Sequence, residues 1–159
     1  MKTLTLASTL VLLPLSAMAH DVMAVKDAYA RSANPMTGGV FMLLDNHREV
    51  DCTLSGVSSD AAERVELHSN EDVDGVMSMR EIEEGILIPA GETHALERGG
   101  DHVMLMGLKA PMEDGATVAL TLDFGDCGTV DVEVPVDNQR EPQQAADGDA
   151  AVPDGHAGH

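Results

Sequence analysis

Short stretches of alternating apolar and polar residues, broken by turn-forming residues about every eight to twelve positions, constrain this sequence most strongly. Such alternation places successive side chains on opposite faces of an extended strand. Regular turn signals between these stretches join neighbouring strands into antiparallel sheets. The pattern predicts an all-β domain of about nine or ten short strands, built as a β-sandwich or a Greek-key β-barrel.

Gly, Pro, Asn and Asp mark the ends of the predicted strands. The strands cover residues 22–33, 40–45, 50–57, 64–69, 76–82, 86–88, 93–96, 102–108, 117–124 and 129–136. Thr37-Gly38-Gly39 is predicted as a turn between the first two strands. Asp74-Gly75 is a strong hairpin signal, because both positions of a tight two-residue turn require positive φ.

The first nineteen residues are typical of a secretory signal peptide. Lys2 provides the positive charge, residues 4–15 form an apolar stretch too short to cross a bilayer, and Ala17-Met18-Ala19 is a small-residue cleavage site. We therefore expect the mature protein to begin at His20 and to lie in the periplasm. No Cys lies near the cleavage site, so we expect no membrane anchor there.

Residues 20–136 are expected to form one domain. Residues 137–159 lose the apolar alternation and gain Gln, Asp, Ala and Gly, which predicts a disordered acidic tail carrying His156 and His159. The net charge of −19 disfavours nucleic acid and anionic membrane surfaces as partners. A metal ion or a cationic partner is favoured instead, and we expect a monomer.

Cys52 and Cys127 are the two cysteines of the sequence. In an exported protein an even number of cysteines indicates a disulfide. A thiolate ligand for a metal is the alternative.

Methionine usually fills the core of a β-sandwich, but here it recurs beside histidine on a face without a packing role. Alternation places His102, Met104 and Met106 opposite the apolar Val103 and Leu105. Thioether sulfur and imidazole nitrogen together favour a soft ion, and in an exported protein they indicate Cu(I).

A second group of the same kind lies earlier in the chain. His68 shares a face with Glu66, and Met77 and Met79 share a face with Glu81. Ten residues separate His68 from Met79, and twenty-two separate Met79 from His102. Met104 follows His102 after one further residue.

This pattern resembles the PCu(A)C family of periplasmic copper chaperones, whose signature is His-x10-Met-x21-His-x-Met in a cupredoxin-like β-barrel. The resemblance is carried by the segments 63–68, 75–80, 87–91 and 102–108 and spans residues 22–136. It implies Cu(I) ligands at His68, Met79, His102 and Met104, with Met77 and Met106 as neighbours. The middle spacer is one residue longer than the signature, and we expect residues 83–85 to absorb it in a turn.

The resemblance also implies a function. A metallochaperone of this family would deliver copper to the CuA centre of cytochrome c oxidase, together with a Sco-type protein. Two alternatives stay open: a periplasmic protein that sequesters copper without delivering it, and a structural β-sandwich with incidental methionines.

Two other copper proteins fit less well. A blue-copper electron carrier needs a Cys closely followed by a His, and neither Cys52 nor Cys127 has one. A copper oxygenase could use the α-amine and imidazole of His20, but the sequence has only three Phe, Tyr and Trp residues for binding sugars. We expect no enzymatic activity, and we expect His20, His156 and His159 to act as accessory Cu(II) ligands.

Overall fold

The computed structural model describes residues 23–142. These residues form eleven β-strands and one 3₁₀ turn. The predicted signal peptide, His20 and residues 143–159 lie outside it. The strands are β1 (Met23–Asn34), β2 (Thr37–Asn46), β3 (Cys52–Leu54), β4 (Gly56–Ser58), β5 (Ala62–Val73), β6 (Val76–Glu81), β7 (Ile86–Ile88), β8 (Thr93–Leu96), β9 (His102–Leu108), β10 (Thr117–Asp123) and β11 (Thr129–Pro135). The all-β prediction is confirmed.

The largest sheet has the strand order β1-β2-β9-β5-β6, and β8 also pairs with β2. Two smaller sheets, β11-β10-β4 and β3-β7, contribute to the same hydrophobic core. One face of β9 supplies Val103 and Leu105 to this core, and β10 supplies Leu120 and Leu122. Among the described residues, no helix is long and apolar enough to span a membrane.

Gly38 and Gly39 do not form the turn that the sequence predicts between the first two strands. The turn lies at residues 35–36, and both glycines are buried inside β2. A Cβ atom on Gly39 would lie 2.9 Å from Cζ of Phe41, so this position must lack a side chain for the phenylalanine ring to pack there. Glycine within a strand often marks such a close approach, and here the prediction of a turn was wrong.

The hairpin of β5 and β6 is longer than predicted. Asp74 and Gly75 have φ values of 56° and 79° and form its two-residue turn, as their sequence indicates. Both strands continue to this turn, although the predicted strand ended at Ser69. Residues 71–81 are exposed, so neither face of the hairpin end packs on the core and the alternation of a half-buried strand is absent there.

The segment predicted as one strand over residues 50–57 is divided into β3 and β4 at Ser55. Residues 137–142, which the sequence assigns to the tail, lie alongside β1, where the Asp137 backbone N–H donates to the Ala30 carbonyl at 2.9 Å.

A disulfide joins Cys52 on β3 to Cys127 at the end of the 3₁₀ turn, with 5.9 Å between the Cα atoms. It closes a loop with a sequence separation of 75 residues and ties the smaller sheets together, away from the β5–β9 pair.

We expect the double substitution Cys52→Ala/Cys127→Ala to lower the free energy of unfolding by about 2–5 kcal/mol, because it releases a long loop in the unfolded chain. Urea unfolding followed by circular dichroism measures this. The unsubstituted protein in excess dithiothreitol is the control and should lose the same stability. Equal unfolding midpoints for the double variant and the oxidised protein would contradict the prediction.

Candidate metal centre

The antiparallel pairing of β5 with β9 brings the two predicted histidine ligands together. His68 lies directly opposite His102, and Glu66 lies opposite Met104. Residues directly opposite each other share a face of the sheet. The two imidazole rings are 6.0 Å apart between centroids. Since imidazole nitrogens bind metals at about 2.0–2.1 Å, both rings are close enough to share one ion.

Pairing of β5 with β6 places Met79 on the same face. Met79 lies opposite Asn70, which is two residues along β5 from His68. The chain turns at residues 83–84, between the end of β6 and the start of β7, so the longer spacer leaves the β5–β6 register intact. All four predicted ligands therefore share one face of three adjacent strands.

A surface pocket gathers three of these four side chains. Met79, His102 and Met104 line it, together with Gly39, Phe41, Arg31, Ser32, Ala33 and Arg98. His68 adjoins this pocket through its ring contact with His102. Gly39 lies opposite Met104 on β2, and the Phe41 ring occupies the space that a side chain at Gly39 would take.

His102 is held in one tautomer. Its ring is 5% exposed, and Nδ1 donates a hydrogen bond to the Gly100 carbonyl at 3.0 Å. A carbonyl oxygen only accepts, so Nδ1 carries the proton and the neutral ring keeps a lone pair on Nε2. A backbone partner of this kind orients the metal-binding histidine in many proteins.

His68 is also oriented by a hydrogen bond from one ring nitrogen, in this case to a carboxylate. Its Nε2 donates to Oε2 of Glu66 at 2.9 Å, and its Nδ1 is buried without a hydrogen-bond partner among the described residues. A buried nitrogen lone pair without a donor is uncommon, and a bound metal ion would satisfy it. The polar surroundings of both histidines thus fit metal binding.

Glu66 is ionised at neutral pH. The hydrogen bond from His68 and the nearby Arg64 guanidinium hold the pKa of the Glu66 carboxyl below its usual range, against the opposing effect of burial. Nη2 of Arg64 lies 2.6 Å from Oε1 of Glu66. The carboxylate therefore fixes the orientation of the His68 ring and raises its basicity, as in carboxylate–histidine–metal triads.

An aromatic pair lies next to His102, and one member of it, Phe41, lines the pocket. The Phe41 ring lies 6.1 Å from the His102 ring, and Tyr29 lies 5.1 Å from Phe41, centroid to centroid. Both aromatic residues are buried. The Phe41 ring therefore forms an apolar part of the pocket lining next to His102.

Met79 is the most exposed of the four predicted ligands. Met79 is 50% exposed and Met104 is half-buried. Met77, at 60% exposed, lies opposite Asp72 near the hairpin end and does not line the pocket. Met106 also lies outside it, with its Sδ 3.7 Å from Nη2 of Arg64. This placement agrees with treating Met77 and Met106 as neighbours of the site.

Within residues 23–142, no three His, Cys, Asp or Glu side chains come together in a manner suited to a metal ion. Met79 and Met104 place two thioethers on the same sheet face as His68 and His102. A set of two imidazoles and two thioethers is chemically soft and suits Cu(I).

Three features of the site went unrecognised in the sequence. Glu66 had been placed on the His68 face by alternation, but its role as a hydrogen-bond partner at i−2 was missed. The Gly100 carbonyl is a backbone group two residues from His102 and has no side-chain signal, and the Tyr29–Phe41 pair depends on the β1–β2 register. The predicted accessory ligands His20, His156 and His159 lie outside the described residues.

Comparison with protein families and curated sequences gives one consistent match. The model of the LpqE-like family, described as "Putative lipoprotein LpqE-like", matches residues 23–136. A protein named "Putative lipoprotein Lxx21020" from Leifsonia xyli subsp. xyli is 38% identical over 116 residues, which cover 73% of this chain and 70% of that protein.

Solved structures share the fold. The Cu(I) form of DR1885 from Deinococcus radiodurans is 33% identical with a TM-score of 0.59, and the match covers 79% of this chain and 85% of that one. The copper-bound PCuAC domain of PmoF2 is 20% identical with a TM-score of 0.60, covering 74% and 96% of the two chains. The cupredoxin-like β-fold predicted from the sequence is thereby confirmed.

Substitution Glu66→Gln is expected to weaken Cu(I) binding about 10- to 100-fold, because an uncharged amide orients His68 and raises its basicity less well. Competition with a Cu(I) chelator under anaerobic conditions measures the affinity. Glu71→Gln is the matched control, since Glu71 lies on the opposite face of β5 and pairs with Arg80 at 3.0 Å. Equal losses in the two variants would show that Glu66 acts only through overall charge.

Proposed function

The chain belongs to the LpqE-like family, and from this premise we propose that it is a periplasmic carrier of Cu(I). The ligands are His68, Met79, His102 and Met104. The observation that carries the proposal is the single sheet face on which two oriented imidazoles meet two thioethers, one of which is half exposed. The copper named in the titles of the DR1885 and PmoF2 structures supports the same ion.

The ligand types favour Cu(I) over other ions. Ca²⁺ and Mg²⁺ require oxygen ligands, and Zn²⁺ sites use Cys, His and carboxylates. Thioether sulfur carries no proton near neutral pH, so copper binding at Met79 and Met104 does not compete with protonation. The cysteines are joined to each other and leave methionine as the source of sulfur ligands.

The difference in exposure between the two ligand types supports carriage. The imidazoles are fixed by Glu66 and Gly100 and largely covered, whereas Met79 lies on β6, an edge strand exposed along its length. A partner can approach Met79 from solvent and replace one thioether while the histidines still hold the ion. This stepwise ligand exchange transfers copper without releasing it into water.

The acceptor is the CuA centre of cytochrome c oxidase, either directly or through a Sco-type thiol protein. This assignment is supported by the likeness to the PCu(A)C family. Storage is the second candidate, and the single four-ligand site argues against it, because sequestration is more effective in proteins that hold many ions. The chain has no proposed enzymatic role, since the site presents ligands without a group positioned to act on a substrate.

A second ion, Cu(II), is proposed at His20, His156 and His159. Imidazoles and an α-amine are ligands that favour Cu(II). Removal of residues 143–159 should abolish one Cu(II) equivalent in a titration and leave the Cu(I) equivalent in place. Unchanged Cu(II) stoichiometry would refute the accessory site.

Each of the substitutions Met79→Ala and Met104→Ala should weaken Cu(I) binding by more than about 100-fold, since even outer-shell changes at metal sites cost about 10–100-fold. Anaerobic chelator competition measures the affinity. Met36→Ala is the control, because Met36 is 59% exposed and lies in the β1–β2 turn outside the pocket. Wild-type affinity in both test variants would show that the ligands are assigned wrongly.

Delivery and storage are distinguished by a transfer assay. The Cu(I)-loaded protein should metallate the apo CuA domain of oxidase subunit II in the presence of a reduced Sco-type protein, as seen by the CuA absorption after reoxidation. A loaded protein that keeps its copper under these conditions would favour storage.

A further inference from the structure

Strand β6 forms an open edge of the largest sheet. It pairs with β5 on one side, and no other strand within residues 23–142 pairs with it. The opposite edge, β1, has a register shift between Lys26 and Tyr29, and the Asp137 backbone N–H donates to its Ala30 carbonyl. Natural proteins protect edge strands by such means, because unpaired backbone groups bind other strands. Strand β6 contains no Pro or Lys and pairs with β5 without a bulge.

The hydrogen bonds of β5 show which backbone groups of β6 face the open edge. The Asn70 N–H donates to the Gly100 carbonyl at 3.3 Å and therefore points away from β6. In an antiparallel pair of strands, hydrogen-bonded and non-hydrogen-bonded residue pairs alternate. Met79 lies opposite Asn70, and Met77 lies opposite Asp72 two residues further along. Both methionines therefore direct their own backbone N–H and C=O groups to the open edge.

Exposed apolar side chains are concentrated on the same hairpin. Val73, Val76, Met77 and Met79 are 50–65% exposed, and they are four of the seven large hydrophobic residues that are exposed between positions 23 and 142. Clusters of exposed apolar residues mark sites of protein interaction. The hairpin therefore combines open backbone groups with apolar side chains, next to the proposed ligand Met79.

The charge of the hairpin favours a cationic occupant. Residues 70–85 contain six Asp and Glu residues and one basic residue, Arg80. Arg80 is paired with Glu71 at 3.0 Å, which leaves the remaining carboxylates in excess. A second copy of this chain would bring two such hairpins together, and their like charges would repel each other. Lys or Arg side chains of a different protein would be attracted instead.

We propose that the open edge of β6 binds an extended, cationic segment of the copper-accepting protein as an additional antiparallel strand. Addition of a strand to a sheet edge is a common mode of peptide recognition. The residue of that segment opposite Met79 forms a hydrogen-bonded pair with it, in which the Cα atoms are about 5.5 Å apart. Residues directly opposite each other share a face of the sheet. A Cys or Met at that position therefore lies beside Met79 on the face of the proposed copper site.

Backbone pairing thereby fixes the position of the incoming ligand, a role that rests on the proposed function. The incoming sulfur forms a bond to Cu(I) while the bond from Met79 to the ion breaks, and the oxidation state of copper does not change. An incoming methionine exchanges without a proton, whereas an incoming cysteine releases its thiol proton to water. The docking itself needs no metal.

Docking is tested first without copper, by ¹H–¹⁵N NMR titration of the chain from His20 with the capped peptide Lys-Val-Lys-Met-Lys-Val-Lys. The amides of Met77 and Met79 should shift and become protected from hydrogen exchange, because their N–H groups gain a partner. The amides of Ser78 and Arg80 should change less, since the same alternation directs their N–H groups to β5. The control is the same peptide N-methylated at its Val and Met residues, which cannot pair with the edge and should not bind.

Substitution Met77→Pro removes one outward N–H and places a ring at the open edge. Proline is tolerated in an edge strand where the N–H faces solvent, so the pairing of β6 with β5 should persist. The variant should bind the peptide at least about 5-fold more weakly than Met77→Ala, which lacks the same side chain but keeps the N–H; this is the loss expected for one hydrogen bond. Unchanged amide shifts in β5 verify the fold of both variants.

The role in transfer is measured with the same pair of variants in the transfer assay with the apo CuA domain and a reduced Sco-type protein. Met77→Pro should transfer copper at least about 5-fold more slowly than Met77→Ala, since its docking is weaker by that factor. Met77 lies outside the pocket, so chelator competition should give equal Cu(I) affinities for the two variants.

Absence of peptide binding, or amide shifts that do not alternate along β6, would overturn the docking. A dimer of the free protein in sedimentation, with the same alternating shifts, would identify a second copy as the occupant and also overturn it. Equal transfer rates for the two variants would overturn the role in transfer. A protein that binds no Cu(I), or that keeps it from the acceptor, would refute the proposed function, while the copper-free titration would still decide the docking.

Discussion

The antiparallel register between β5 and β9 is the constraint on which the rest of the site depends. His68 faces His102 because their strands pair at that position, and the same register places Glu66 beside Met104. A shift of one residue would move every β5 side chain to the other face of the sheet. Burial of Leu67 opposite Val103 in the core opposes that shift, so the packing of the domain fixes the face on which the proposed ligands lie.

The side chains on this face differ in how firmly the fold holds them. The imidazoles are covered and oriented by groups fixed in the sheet, the Glu66 carboxylate and the Gly100 carbonyl. Met79 lies on an edge strand that pairs with β5 and is exposed along its length. A site with a fixed part and an accessible part can hold an ion tightly and still offer it to a second protein.

Strand alternation was sufficient to predict the fold class and the face of each proposed ligand. It succeeded because Val103 and Leu105 face a real core while their neighbours do not. It failed at Gly38 and Gly39, where glycine provides space for Phe41 within a strand and not a turn. The contact of Tyr29 with Arg140 could not be predicted, because it joins residues far apart in the sequence and depends on tertiary packing.

X-ray absorption at the copper edge of the Cu(I)-loaded protein tests the central claim most directly. The account predicts a mixed first shell of two imidazole nitrogens and two thioether sulfurs, with the sulfur contribution reduced by half in Met104→Ala. A shell of nitrogen and oxygen alone, or a sulfur contribution unchanged in that variant, would contradict the assignment of the site to His68, Met79, His102 and Met104.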